Sequence, residues 1–210
     1  MKSSAHIVGA GGIGIAAAAC LARAGWDVTM IESNPGKVAA GRRNEMTLDG
    51  QPIHGTHFVH FDDWIPPEEA AVLLCTKTFD NAPILKRIAN TQTLVPIQNG
   101  YDETLERSHH PAEAIASFVS ECPIDSLSAR ITRAGSLHIG PRRKVSSGEQ
   151  ERINVLASAF TKGELFPVER AVDIGPFKST KLMYNSAISP LAASAGVDNA
   201  ELLIDSLTQK

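Results

Sequence analysis

Gly9-Ala10-Gly11-Gly12-Ile13-Gly14 follows directly on a short apolar run at 5–8, and the reading of this stretch decides the fold. Glycines at this spacing between a strand and a helix let backbone N–H groups and a helix N-terminus face a pyrophosphate. Gly9 would permit the tight turn, Gly11 would let phosphates approach the backbone, and Gly14 would let the helix pack closely on the strand. Glycine and alanine are common, so the pattern alone is weak and its context decides. Residues 13–24 are almost wholly Ala, Leu and Ile, with Arg23 near the end and Gly25 as a C-terminal stop. A second strand over 26–31 then ends at Glu32, an acid about 20 residues beyond the turn, where a ribose hydroxyl needs an acceptor. This strand–turn–helix–strand unit predicts a dinucleotide site built from Gly9, Gly11, Gly12, Ile13, Gly14 and Glu32. A secretory signal beginning at Lys2 would carry those glycines inside its apolar core and would need no acid-ended strand, so that reading is set aside.

With 210 residues, a formal net charge of −3 and a hydrophobic fraction of 43%, the chain suits a globular protein with one good-sized core and a small second unit. Basic residues are scattered, and the densest groups, Arg42-Arg43 and Arg142-Arg143-Lys144, read as solvated turns and give no nucleic-acid footprint. No apolar run is long enough to span a membrane, which makes no membrane association and a cytoplasmic location the expectations. Cys20, Cys75 and Cys122 are odd in number, far apart and in apolar settings, so they read as buried free thiols in a reducing compartment, with no metal site.

Short apolar strands alternate with helices along most of the chain. A helix is expected over 35–43 with Asn34 as its cap and Pro35 in its first turn. Small strands are expected at 46–48, 52–53 and 56–61 around the turn dipeptide Asp49-Gly50. The run Ala-Val-Leu-Leu-Cys at 71–75 suits a strand buried on both faces of a parallel sheet. Further on come a helix at 80–89, a strand at 93–97, a helix at 101–107, a strand at 114–119 and a hairpin of Ile131 with 137–139 about Gly135. A helix over 149–160 and a last strand at 165–168 complete the series. The alternation predicts a doubly wound α/β sheet over 1–172. After a joint at 173–176 the pattern is purely helical, with helices at 177–195 and 198–207, the latter capped by Asp198. That gives a second, all-α domain over 173–210.

Ligands of open α/β sheets bind at the carboxyl ends of the strands. One buried strand runs into Thr76-Lys77-Thr78 and the next into Gln98-Asn99-Gly100, which would bring an ammonium and an amide over the cofactor. The same residues also fit a solvated loop charge and a plain Asn-Gly turn. On the first C-terminal helix, Lys181, Asn185 and Ser189 are spaced four apart and share a face amid apolar neighbours. Such a stripe is either a solvent edge or a polar site in a cleft, and a desolvated lysine there can donate a proton near neutral pH.

Together the glycine turn, Cys75-Thr76-Lys77-Thr78-Phe79-Asp80, Val95-Pro96-Ile97-Gln98-Asn99-Gly100 and Lys181-Leu182-Met183-Tyr184-Asn185 through Pro190-Leu191 resemble ketopantoate reductase (2-dehydropantoate 2-reductase), block by block and in order. The resemblance implies a Rossmann-type domain and reduction of the ketone of 2-dehydropantoate to pantoate, in pantothenate and coenzyme A biosynthesis, by hydride from NAD(P)H. It implies Lys181, Asn99 and Asn185 as catalytic residues, with Lys181 the general acid. Lys77 and Asn99 would sit beside the nicotinamide and the reacting carbonyl, and Lys77, Asn185 and Ser189 would bind substrate.

Three departures from the family pattern carry expectations of their own. The family usually prefers NADPH and places a basic residue just past the second strand, where this chain has Glu32-Ser33. An acid there accepts from a ribose 2′-OH and repels a phosphate, so NADH is expected, with Lys37, Arg42 or Arg43 as the nearby cations able to rescue NADPH. Ser189 replaces a further asparagine before the helix proline, which opens the site to another branched 2-oxo acid. Relatives also continue through several more helices, so the chain reads as C-terminally truncated, with an apolar helix face that predicts a homodimer, low stability or a shortened chain. Two rival functions remain: a dinucleotide-holding module without turnover, and an opine-type dehydrogenase needing an amino acid co-substrate.

Overall fold

The computed structural model describes residues 3–88 and 93–196. The first half contains β1 (Ser4–Val8), α1 (Gly12–Arg23), β2 (Asp27–Glu32), α2 (Pro35–Arg42), β3 (Thr47–Leu48), β4 (Gln51–Pro52), β5 (Thr56–His60), β6 (Ala71–Leu74), α3 (Asn81–Leu85) and β7 (Thr93–Pro96). The second contains α4 (Glu103–Glu106), β8 (Ala112–Ala116), β9 (Val119–Glu121), β10 (Ser128–Arg133), β11 (Leu137–Pro141), α5 (Ser147–Gly163), β12 (Val168–Arg170) and α6 (Gly175–Ala195). β5, β2, β1, β6 and β7 lie side by side in that order in an all-parallel sheet, the doubly wound arrangement the alternation predicts. The remaining strands form two smaller sheets, β4-β3-β10-β9 and β12-β11-β8.

Alternate residues of each central strand serve opposite faces of the sheet. Ala5 and Ile7, Val28 and Met30, Ala71 and Leu73, and Val95 join the core under α1, whereas Val8, Ile31, Val72, Leu74 and Leu94 pack on the other face with Trp64, Ile84 and Leu105. Burial on both faces is why these strands are continuously apolar. α1 is thin, with Ala16, Ala17, Ala18 and Ala19 all buried, and α5 comes close to it. A Cβ on Gly163 would overlap the Cys20 carbonyl, and the Cys20 thiol donates to the Phe160 carbonyl at 3.2 Å. Phe160 is fully buried there and fills the space the alanines leave.

Several elements differ from the sequence expectation. The hairpin turns at 122–127 and not at Gly135: β9 pairs antiparallel with β10, and β8 with β11. The expected strand at 114–119 is therefore two strands in two sheets, joined at Ser117-Phe118. Gly135 is needed for close approach, because a Cβ there would collide with the backbone of Ser117 and Phe118. The helix expected at 80–89 begins as a 3-10 turn, Thr78–Asp80, and α3 stops at Leu85; Ala89 lies outside the described residues. Arg87 leaves the helix because its guanidinium donates to the Asp62 and Trp64 carbonyls, both at 3.1 Å, and stacks on Phe61. α4 is shorter than expected, since Gly100 has a φ of +91° and Asp102 caps the helix by accepting from the Thr104 N–H. The last strand is shifted to Val168–Arg170 because Leu165 and Phe166 pack against the core. Arg142 is no solvated turn residue: it pairs with Glu106 and with buried Glu113, which also meets His110 Nε2 at 2.8 Å. Of the three cysteines Cys20 is buried, while Cys75 and Cys122 are half-buried.

The chain divides into two compact units, Met1–Ile174 and Gly175–Lys210. Within the second, α6 is one helix with Pro190 inside it, and the helix expected at 198–207 lies outside the described residues. Among the described residues no helix is long and apolar enough to cross a membrane.

α5 starts with a capping box. Ser146 N–H donates to Glu149 Oε2 at 2.7 Å, Glu149 N–H donates to Ser146 Oγ at 3.3 Å, and Arg143 donates to Glu149 Oε1 at 2.6 Å. The Ser146 N–H and then the Arg143 guanidinium hold the Glu149 carboxyl down at about 2. A depressed folded-state value stabilises the fold above the unfolded-chain value near 4.5, and that stability is lost as pH falls towards 2. The stability deficit of Glu149→Gln at neutral pH should therefore shrink as pH falls below about 4.5, measured by denaturant unfolding at a series of pH values. A deficit constant across that window would contradict the assignment.

Candidate functional site

The glycine turn leaves β1 with Gly9 at φ +103°, a conformation side chains rarely adopt. Gly14 lies over the Gly9 carbonyl so closely that a Cβ would overlap it, and a Cβ on Gly12 would overlap the Ser120 carbonyl of β9. Gly11 alone faces open space, with nothing within 4 Å of the place its Cβ would take. It is the N-cap of α1, no side chain caps the helix, and its first turn holds no acid. The first N–H groups of α1 thus lack side-chain partners, as a pyrophosphate would require. Beside the turn a cavity of about 130 Å³ is lined by Gly9, Ile31, Glu32, Phe61, Thr76 and Ile84 among others. These features fit a dinucleotide. Among the described residues no cluster of His, Cys, Asp or Glu suits a metal ion.

Glu32 ends β2 facing the turn. Its Oε2 accepts from the Ala10 N–H at 3.1 Å, and its Oε1 accepts from the Ser33 and Asn34 N–H groups at 2.8 and 2.9 Å. A carboxylate has about four acceptor positions, so one on Oε2 remains for a ribose hydroxyl. Lys37, on the first turn of α2, holds the same residue by its carbonyl, in the next peptide along: its Nζ donates to the Ala10 carbonyl at 2.7 Å, and Lys37 is only 7% exposed. The three cations considered as phosphate partners are thereby engaged elsewhere. Lys37 is turned inward, Arg42 Nε donates to the Phe58 carbonyl at 3.3 Å, and Arg43 pairs with Glu45 at 2.6 Å.

Lys77 and Asn99 follow neighbouring strands of the sheet, β6 and β7, and both are exposed. The loops that carry them are joined beneath by a buried amide pair. Gln98 Nε2 donates to Asn81 Oδ1 and to the Thr76 carbonyl, each at 2.8 Å, and Asn81 Nδ2 donates back to Gln98 Oε1 at 3.2 Å and to Asp102 Oδ2. Asn81 is fully buried. Sequence reasoning missed this clamp, although a glutamine preceding Asn-Gly at a strand end was its visible half.

On α6, Lys181 and Asn185 are four residues apart and partly exposed; Ser189 is in the same helix, and its side chain lies outside what is described. The thiols offer no nucleophile. Burial pushes Cys20 up to about 11 and Cys75 up to about 12, and it raises Cys122 as well, so all three stay protonated near neutral pH.

Comparison with known proteins places these features in a wider group. The family model described as ketopantoate reductase PanE/ApbA matches residues 5–144. The 2-dehydropantoate 2-reductase of Methylococcus capsulatus is 19% identical with a TM-score of 0.75, over 92% of this chain and 65% of that one. The probable 2-dehydropantoate 2-reductase of Bacillus subtilis is 19% identical with a TM-score of 0.74, over 96% and 69% of the two chains. D-mandelate dehydrogenase, solved with NADH and anilino(oxo)acetate, is 16% identical with a TM-score of 0.78, over 95% and 66%. The chain thus spans about two thirds of the length of these structures. No curated protein matches it by sequence.

Replacing Gln98 by Leu removes a buried donor and leaves Asn81 Oδ1 without it. The Gln98→Leu protein should be less stable by about 1–3 kcal/mol in denaturant unfolding. An unchanged midpoint would show that the amide pair holds nothing together.

Proposed function

The chain belongs to the ketopantoate reductase family, and from that premise we propose that it is an oxidoreductase that reduces a 2-oxo acid with a nicotinamide dinucleotide. The observation that carries the reading is the glycine turn. Gly11 and the uncapped start of α1 are open on one side, and a carboxylate with one acceptor position left stands where a ribose would meet it. When bound, the nicotinamide supplies the hydride. The chain's own residues bind, orient and supply the proton that must accompany it.

Lys181 is the general acid of this reading: its ammonium gives a proton to the carbonyl oxygen, which becomes the hydroxyl of the product. Asn185 and Ser189, on the same helix, bind the polar groups of the substrate. Lys77 and Asn99 contribute an ammonium and an amide at adjacent strand ends, suited to a carboxylate and a polarised carbonyl. The assignment of Lys181, Asn185, Ser189, Lys77 and Asn99 rests on their match to the family's motifs. 2-Dehydropantoate is the first substrate to test, and Ser189 in place of an asparagine leaves room for other branched or aryl 2-oxo acids.

NADH is the cofactor this site suits. Glu32 suits a free 2′-hydroxyl, and Lys37, Arg42 and Arg43 are each engaged elsewhere. The decisive assay follows NADH oxidation with 2-dehydropantoate, branched 2-oxo acids and an aryl 2-oxo acid, each with and without an added amino acid. Turnover should occur without the amino acid, kcat/KM should favour NADH over NADPH by tenfold or more, and Lys181→Ala should lower kcat by about 10²–10⁴. NADH binding with no turnover on any acid would favour the dinucleotide-holding module, and an amino acid requirement would favour an opine-type enzyme.

A further inference from the structure

Asp125 stands in the loop between β9 and β10, distant in sequence from the glycine turn, and its Oδ1 accepts from Asn34 Nδ2 at 3.2 Å. Asn34 in turn caps α2: its Oδ1 accepts from the N–H groups of Gly36 at 2.8 Å and Lys37 at 3.2 Å. Because a carboxylate only accepts, Asp125 fixes which end of the Asn34 amide points to it and leaves the oxygen for the helix. This pair sits two residues past Glu32, at the loop that would carry the 2′ position of a bound adenosine ribose.

We propose that Asp125 is a specificity-determining residue that acts with Glu32 to select a dinucleotide with a free 2′-hydroxyl over its 2′-phosphorylated form; this rests on the cofactor reading above. Two effects combine. A 2′-phosphate brought to the Glu32-Ser33 loop would carry close to two negative charges towards two carboxylates. The groups that could receive it are already filled, because Asn34 occupies the Gly36 and Lys37 N–H groups and the Lys37 ammonium is bound to the Ala10 carbonyl. A ribose hydroxyl needs neither the cations nor those N–H groups. Asp125 therefore discriminates without having to touch the preferred ligand.

Asp125 is exposed, so its replacement should leave the fold intact, which circular dichroism would confirm. Dissociation constants for NADH, NADPH and 2′,5′-ADP are measured by calorimetry on the parent protein, Asp125→Asn, Asp125→Lys and Glu32→Gln, at low and high salt. The ratio of NADPH to NADH affinity should rise about three- to tenfold in Asp125→Asn and further in Asp125→Lys, and added salt should shrink the gain. Asparagine at 125 still offers an oxygen to Asn34, so that variant isolates the charge. A ratio unmoved in both Asp125 variants while Glu32→Gln raises it would overturn the inference and leave the cofactor reading standing. A parent protein that already prefers NADPH would also overturn it, and a parent that binds neither dinucleotide would overturn both.

Discussion

The close approach of α1 to the end of β1 is the constraint from which the other features follow. Gly14 leaves no room for a Cβ over the Gly9 carbonyl, so the helix is drawn tightly onto the strand. A helix held that near needs small residues on its buried surface, and 16–19 are all alanine. The same thinness admits α5, where Gly163 and Phe160 meet Cys20. Once α1 is pinned, its uncapped N-terminus and Gly11 face the carboxyl edge of the sheet, and β2, β6 and β7 place Glu32, Lys77 and Asn99 along that edge. Sterics at two glycines thus decide where recognition can occur.

Electrostatics then decide what is recognised. The two peptide units that flank Ala10 are each held, the Ala10 N–H by Glu32 and the Ala10 carbonyl by Lys37. A lysine as buried as Lys37 is tolerable only when its ammonium is hydrogen-bonded, as it is to the Ala10 carbonyl. The arrangement uses the cation for the shape of the turn, and a cation used that way is withdrawn from the ligand. The acid remains, with one acceptor position open. Family members that place a basic residue just past the second strand and this chain, with its glutamate, therefore share a turn and differ in the sign of the charge beside it.

How much of this was legible in the sequence depended on how local each cause was. The turn, α1, the cap at Asn34 and the doubly wound sheet were all readable, because glycine spacing, helix caps and continuous apolar strands act over a few residues. The Asp49-Gly50 turn was equally plain: both residues have positive φ and join β3 to β4. Gly135 misled, since a glycine needed for close packing against Ser117 and Phe118 looks like a glycine needed for a turn. Lys37 read as an available cation, because its spacing on α2 does not reveal that its ammonium is turned to Ala10. Arg142 read as solvated for the same reason, with Glu113 on β8 as the hidden partner. Asp125 and the Gln98–Asn81 pair join distant segments, and no short motif announces such bonds.

Family membership therefore transfers unequally along this chain. The fold transfers well, because a misplaced Cβ at Gly9 or Gly14 meets backbone that cannot yield. Cofactor preference transfers poorly, because it hangs on exposed charges near the ribose, each worth on the order of 1 kcal/mol against a phosphate in water. One or two substitutions at such positions reverse a preference without disturbing a core residue. Glu32, Asn34, Lys37 and Asp125, the groups proposed for the ribose side, all belong to the unit ending at Ile174, whereas Lys181 and Asn185 belong to α6 in the other. On the proposed function, selection of the dinucleotide and selection of the acid would then lie in different units and could change independently.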